Sequence, residues 1–157
     1  MTPLQPLATL LAHAERERDA ALSELRRLEM EHRAAQAQTD QLLTYRRDYE
    51  LRWSGEFSRS GGIDIVQCYQ GFVTRLGQAI DQQTRVTQHS AQRLASAESL
   101  WRERELRVAS VRKLMDRRGL ELRAIDGRRE QKQVDEQAAR MAWNRAFGSG
   151  EKSPQPC

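Results

Sequence analysis

The side chains best suited to metal or nucleophilic chemistry in this chain are three histidines and two cysteines, and the sequence keeps them apart. His13, His32 and His89 lie far from one another and from Cys68 and Cys157, so no close ligand spacing of the kind a zinc site needs is present. Two cysteines at such separation also make no disulfide framework. Gly61-Gly62 precedes a helical stretch, but the Gly-Lys-Ser/Thr that completes a phosphate-cradling loop does not follow. Carboxylates such as Asp135 and Glu136 sit among basic residues, where solvated ion pairing is the expected role. From these residues we expect no catalytic site, no metal and no cofactor: the chain reads as a non-enzyme.

Phosphate recognition by charge alone is the remaining chemistry. Residues 101–140 hold twelve Lys/Arg against eight Asp/Glu. Long basic helices can track a phosphate backbone, yet the acids here interleave too closely for a strong groove. Nucleic acid is therefore not the expected partner, and an RNA-binding arm is kept as an alternative.

Chemistry of this kind must be carried by helices. Of the 157 residues, 38% are apolar and 31% charged, with only three each of Trp, Tyr and Phe, a balance too lean for a compact core and suited to long solvated helices. Prolines occur only at positions 3, 6, 154 and 156, so nothing between them removes a helical donor. The net charge of +4 comes from interspersed, not blocked, charges. No apolar run approaches the ~20 residues that span a bilayer, and no signal peptide opens the chain, so a cytoplasmic address is expected.

Stepping alternately by four and three from Leu7 gives Leu7, Leu11, Ala14, Arg18, Ala21, Leu25, Leu28, His32, Ala35, Thr39, Leu42, Arg46, Tyr49 and Trp53, of which ten in fourteen are apolar. A sustained 3.5-residue period marks a left-handed coiled-coil seam. His32, inside that seam, reads as a tolerated core residue. Ser54, Gly55, Ser58, Ser60, Gly61 and Gly62 then cluster as a hinge. Asp64 with Gln67 restarts helix in capping-box fashion, as Thr2 with Gln5 does at the start. The second seam runs Tyr69, Phe72, Leu76, Ala79, Gln83, Val86, Ser90, Leu94, Ala97, Trp101, Arg104, Val108, Val111, Met115, Arg118, Leu122 and Ile125, with one slip at Ser90 to Leu94.

The expected fold is thus all-α, an antiparallel two-helix coiled coil or helical hairpin: a cap segment at 1–6, a first helix at 7–53, a hinge at 54–63, a longer second helix at 64–147 and a disordered tail at 148–157. Folding back at the hinge pairs Leu7 with about position 111. About 35 residues of the second helix, roughly 50 Å at its usual rise, then have no intramolecular mate. Met115, Leu122, Ile125 and Val134 stay half-exposed there, and Gly119 and Gly127 each cost about 1 kcal/mol relative to Ala. We expect this stretch to fray when free and to order on a partner, either a second copy or a foreign protein.

Three stretches give these helices a recognisable cast. They are Leu42-Leu43-Thr44-Tyr45-Arg46-Arg47-Asp48-Tyr49 before the hinge, Tyr69-Gln70-Gly71-Phe72-Val73-Thr74-Arg75-Leu76-Gly77-Gln78-Ala79-Ile80 after it, and Trp101-Arg102-Glu103 leading to Gln131-Lys132-Gln133-Val134-Asp135-Glu136-Gln137-Ala138-Ala139-Arg140. Together they resemble the FliJ family of flagellar type III export proteins, over roughly residues 7–147. The resemblance implies a hairpin similar to the γ stalk of rotary ATPases. Its partners would be the export ATPase, a FliI-like hexamer whose ring it enters, and an FlhA-like gate protein, with association to the cytoplasmic face of the membrane through them. Escort of export chaperones is also implied, and the family's role would be flagellum assembly and motility.

Carried over by position, Phe72, Leu76, Ala79 and Gln83 match the stripe by which the family is thought to reach the gate. Some members carry His where Gln83 stands. These four serve equally as seam residues against the first helix. Arg128, Arg129, Lys132 and Arg140 are the expected complements to an acidic ring lining, with a plain solvated face as the other reading. Trp143 and Phe147, four apart on the last turns, are placed to anchor a partner, a chaperone among them, or are ordinary surface residues. The alternatives are the stalk of a virulence-type secretion system and a generic coiled-coil scaffold.

Overall fold

A computed structural model describes residues 3–57 and 62–148; Thr2, Ser58, Ser60, Gly61 and the expected disordered tail beyond Gly148 lie outside the described residues. Two helices make up the fold: α1, Gln5–Phe57, and the longer α2, Ile63–Phe147. The molecule is an all-α helical hairpin.

Both helices begin, and α1 also ends, at residues other than the sequence expectation gave, while α2 ends at Phe147 as expected. The Leu4 carbonyl accepts the first bond of α1 from Ala8 N at 2.9 Å, so the helix starts at Gln5 and Pro6 falls in the first turn, where its missing N–H is not needed. At the other end α1 does not stop at Trp53 but continues through Ser54 and Gly55 to Phe57. The Ser54 hydroxyl donates to the Leu51 carbonyl at 3.1 Å, and one helical glycine costs only about 1 kcal/mol, less than a helix end left uncapped. α2 opens with Val66 N bonded to the Gly62 carbonyl at 3.2 Å. Gly62 is therefore the cap, and Asp64 lies in the first turn, where its charge meets the positive end of the helix dipole.

The chain divides into two units, residues 12–108 and residues 1–11 with 109–157. In the first of these, α1 and α2 run antiparallel. Tyr49 meets Phe72, Thr39 meets Thr87, His32 meets Ser90, and Glu17 meets Arg104. The register differs by about a turn from simple folding at residues 54–62, because α1 runs past Trp53 and moves the reversal toward the C-terminus.

All fourteen α1 seam positions are buried or half-buried, as the period demanded. In α2 the phase differs. Ala79 and Val86 are exposed, while Ile80, at 6% exposure, and half-buried Thr87 take their places. The double step of four falls at Phe72, Leu76 and Ile80, not at Ser90 to Leu94. This phase buries the larger Ile80 side chain, worth about 1.5–3 kcal/mol, and lets a polar layer close. Gln83 donates to the Ala35 carbonyl, Thr87 bonds Thr39 at 3.0 Å, and Ser90 bonds His32 at 2.8 Å. Beyond that layer, Leu25, Leu28 and Ala97 form the apolar centre, covered by Leu22, Leu94 and Trp101.

The other unit is lopsided. Val111 is buried, and Leu7, Leu11, Met115 and Leu122 are half-buried, but Arg118 and Ile125 are exposed, contrary to the seam drawn through them. Every described residue from Arg123 onward is exposed. α2 is continuous through Gly119 and Gly127, which keep negative φ, and it is rich in Arg, Glu, Gln and Ala, all good helix formers.

Candidate functional site

Five aromatic side chains gather within residues 12–108. Tyr49 lies at the centre, its ring 4.2 Å from Phe72, 5.8 Å from Tyr69, 5.7 Å from Trp53 and 6.2 Å from Tyr45. The helical spacing of four in 45, 49 and 53 stacks three rings on α1, and Tyr69 and Phe72 answer from α2. Of the four residues matched to the gate stripe, Phe72 is half-buried in this cluster and Leu76 is buried. Gln83 is tied to the Ala35 carbonyl at 3.3 Å. Ala79 is exposed. The structure thus gives three of them a seam role and leaves Ala79 outside the seam. Tyr45, 53% exposed and edge-on to Phe72 at 6.1 Å, is the open rim of the cluster; its place in the quoted motif was visible, its exposure was not.

The second candidate surface is α2 from residue 112 to 147. It carries ten Lys/Arg against six Asp/Glu, an excess of four that equals the +4 of the whole chain. Arg128, Arg129, Lys132 and Arg140 are all exposed, and no ion pair among the described residues engages them. Local pairs do form nearby, Arg118 with Glu121 at 3.1 Å and Gln131 with Asp135 at 3.0 Å. At the end of the helix the Trp143 and Phe147 rings touch, centroids 4.2 Å apart, and are 64% and 63% exposed.

The profile of the family described as "Flagellar FliJ protein" matches residues 3–147. The chain belongs to this flagellar family. It is similar to the "Flagellar FliJ protein" of Escherichia coli (strain K12), 28% identical over 136 residues that cover 87% of this chain and 92% of that one. The Salmonella typhi protein of the same description is equally similar, 28% identical over 136 residues. No solved structure matches. The FliJ match spans both the aromatic cluster and the basic end of α2, so each lies within the family's extent. No helix among the described residues is long and apolar enough to cross a membrane, and no group of three or more His, Cys, Asp or Glu there converges as a metal site.

Ion pairs within residues 12–108 hold the hairpin near its core. Glu17 receives Arg104 at 3.0 Å and Arg107 at 3.2 Å from α2, with His13 of its own helix 3.2 Å away, and Arg18 reaches Glu105 at 3.6 Å. Arg27 grips Glu24 on its own helix, and these hydrogen bonds hold the Glu24 carboxyl below its usual range.

Proposed function

We propose that this FliJ-family chain is a non-enzymatic stalk of flagellar protein export, entering the ring of a FliI-like ATPase and linking it to an FlhA-like gate. What supports the reading most is the exposed basic run at 112–147, in a chain that otherwise balances its charge. A cationic helix exposed on every side from Arg123 to Phe147 suits an acidic ring lining, with Arg128, Arg129, Lys132 and Arg140 as its contacts. Gate binding would use the rim of the aromatic cluster, Phe72 and Tyr45 with Ala79, while Leu76 and Gln83 hold that rim on the hairpin. Chaperone escort would fall to Trp143 and Phe147. Attachment to the cytoplasmic face of the membrane would then come through these partners.

The test is hydrolysis by a purified FliI-like ATPase with and without the chain. Stimulation by the native protein, reduced about tenfold when Arg128, Arg129 and Lys132 are changed to Glu, is the expected result; each reversed charge at a contact costs on the order of 1 kcal/mol or less. Circular dichroism must show full helicity. Equal stimulation by the reversed variant would remove the ring contact. For the gate, a Phe72→Asp chain that stays helical and still captures the gate's soluble domain would leave Phe72 with its seam role alone.

A further inference from the structure

The last three turns of α2 combine an acid-free composition with a pair of exposed aromatic rings. Residues 137–147 contain Arg140 and Arg145 but no acid, whereas Asp135 and Glu136 immediately precede them. At about 100° per residue, Trp143, Phe147 and the alanines at 138, 139, 142 and 146 share one half of the helix circumference. Gln137, Arg140, Asn144 and Arg145 occupy the other half, with Met141 among them. The apolar arc stops abruptly, because Glu136 and Lys132 lie on the same side as Trp143 about two and three turns earlier. All of these residues are exposed, and the two rings on the arc are in contact with each other.

We infer that residues 137–147 form an interfacial anchor that seats Trp143 and Phe147 in the headgroup layer of an anionic phospholipid bilayer, with Arg140 and Arg145 on lipid phosphates. Charge decides the sign of the surface: a segment with two guanidinium groups and no carboxylate favours an anionic one. Shape decides its kind. An alanine arc around two adjacent rings has no ridge of large side chains to fill the grooves of a helical partner, but a lipid interface accepts Trp and Phe without matching contours. Three turns bearing one aromatic pair bind weakly, so the contact is reversible and excludes a protein on the same rings while it lasts. This inference goes beyond attachment through partners and does not require ring entry; since both readings use Arg140, the lipid contact and the ring contact alternate.

The experiment is flotation of the full chain with vesicles of phosphatidylglycerol in phosphatidylcholine, against vesicles of phosphatidylcholine alone. The expected result is at least about tenfold stronger partitioning onto the anionic vesicles, weakened by salt. Trp143→Ser with Phe147→Ser should reduce it about tenfold or more, as should Arg140→Gln with Arg145→Gln. Arg128→Glu with Arg129→Glu, upstream of the arc, should keep the aromatic dependence intact while lowering ATPase stimulation severalfold if ring entry holds. Equal partitioning onto both vesicle types, absence of binding to either, or binding indifferent to loss of the two rings overturns the inference. So does a chain whose rings are needed for ATPase stimulation or chaperone capture yet which never floats with vesicles, since they would then serve a protein surface only.

Discussion

Ser90 is 4% exposed and sits where a coiled coil would ordinarily place an apolar residue, so its hydroxyl must be satisfied. It is satisfied twice. The hydroxyl donates to the Thr87 carbonyl at 2.7 Å, which leaves its oxygen to accept from His32 Nδ1 at 2.8 Å. This places a hydrogen on His32 Nδ1 and makes His32 a register-setting seam residue. Ser90→Ala should lower stability by about 1 kcal/mol, since His32 loses its acceptor, or about 2–4 °C in Tm for a chain of this size. Adding His32→Leu should recover most of that loss in the same thermal melt. Glu24 offers a residue-scale test by pH. The Arg27 hydrogen bonds depress its carboxyl pKa, so the stabilisation they supply is complete above the ordinary carboxyl value and disappears as acidification passes the lowered one. In a carboxyl NMR titration, Arg27→Gln should move the Glu24 midpoint upward.

Along each helix, exposure separates residues that look alike in sequence. Leu25 is 6% exposed and packs with Leu28 and Ala97, whereas Leu120 is 62% exposed. Leu25→Ala should cost about 2–3 kcal/mol in urea denaturation, the usual range for an emptied core site, and Leu120→Ala no more than about 0.5 kcal/mol. The helices themselves were legible: the long proline-free span, the fourteen-position seam of α1 and the end of α2 all follow from composition and period. The limits of α1 near the hinge were not. Ser54 and Gly55 are permitted in a helix at small cost, and only the packing of Trp53 with Tyr49 and Tyr69 shows that the helix carries on beyond them. The phase of α2 was equally hidden, because Ala79 and Ile80 are both apolar and a 3.5-residue period admits either until the opposite helix chooses.

Over the whole molecule, the buried side chains are concentrated in one of the two units. Residues 12–108 contain the Leu25, Leu28 and Ala97 core, the polar layer, the aromatic cluster and the ion pairs on Glu17. Among the described residues, every one from Arg123 onward is exposed. A chain ending at residue 122 should therefore melt within about 4 °C of the full protein, the equivalent of about 1 kcal/mol or less, while losing any ATPase stimulation or vesicle binding. A large fall in Tm on truncation would show that the end of α2 supports the fold.

What the amino-acid order determined unaided is the pair of unequal helices, since proline placement, a 3.5-residue period and one Gly/Ser cluster are local signals that each segment carries within itself. It also determined the excess of positive charge on the longer helix, because charge is counted without coordinates. Which matched residues would be available to a partner was decided only by tertiary structure. Phe72, Leu76 and Gln83 turn toward α1 and Ala79 does not, for exposure depends on the register of one helix against the other, and that register is set jointly by the reversal after Phe57, the burial of Ile80 and the His32–Ser90 bond.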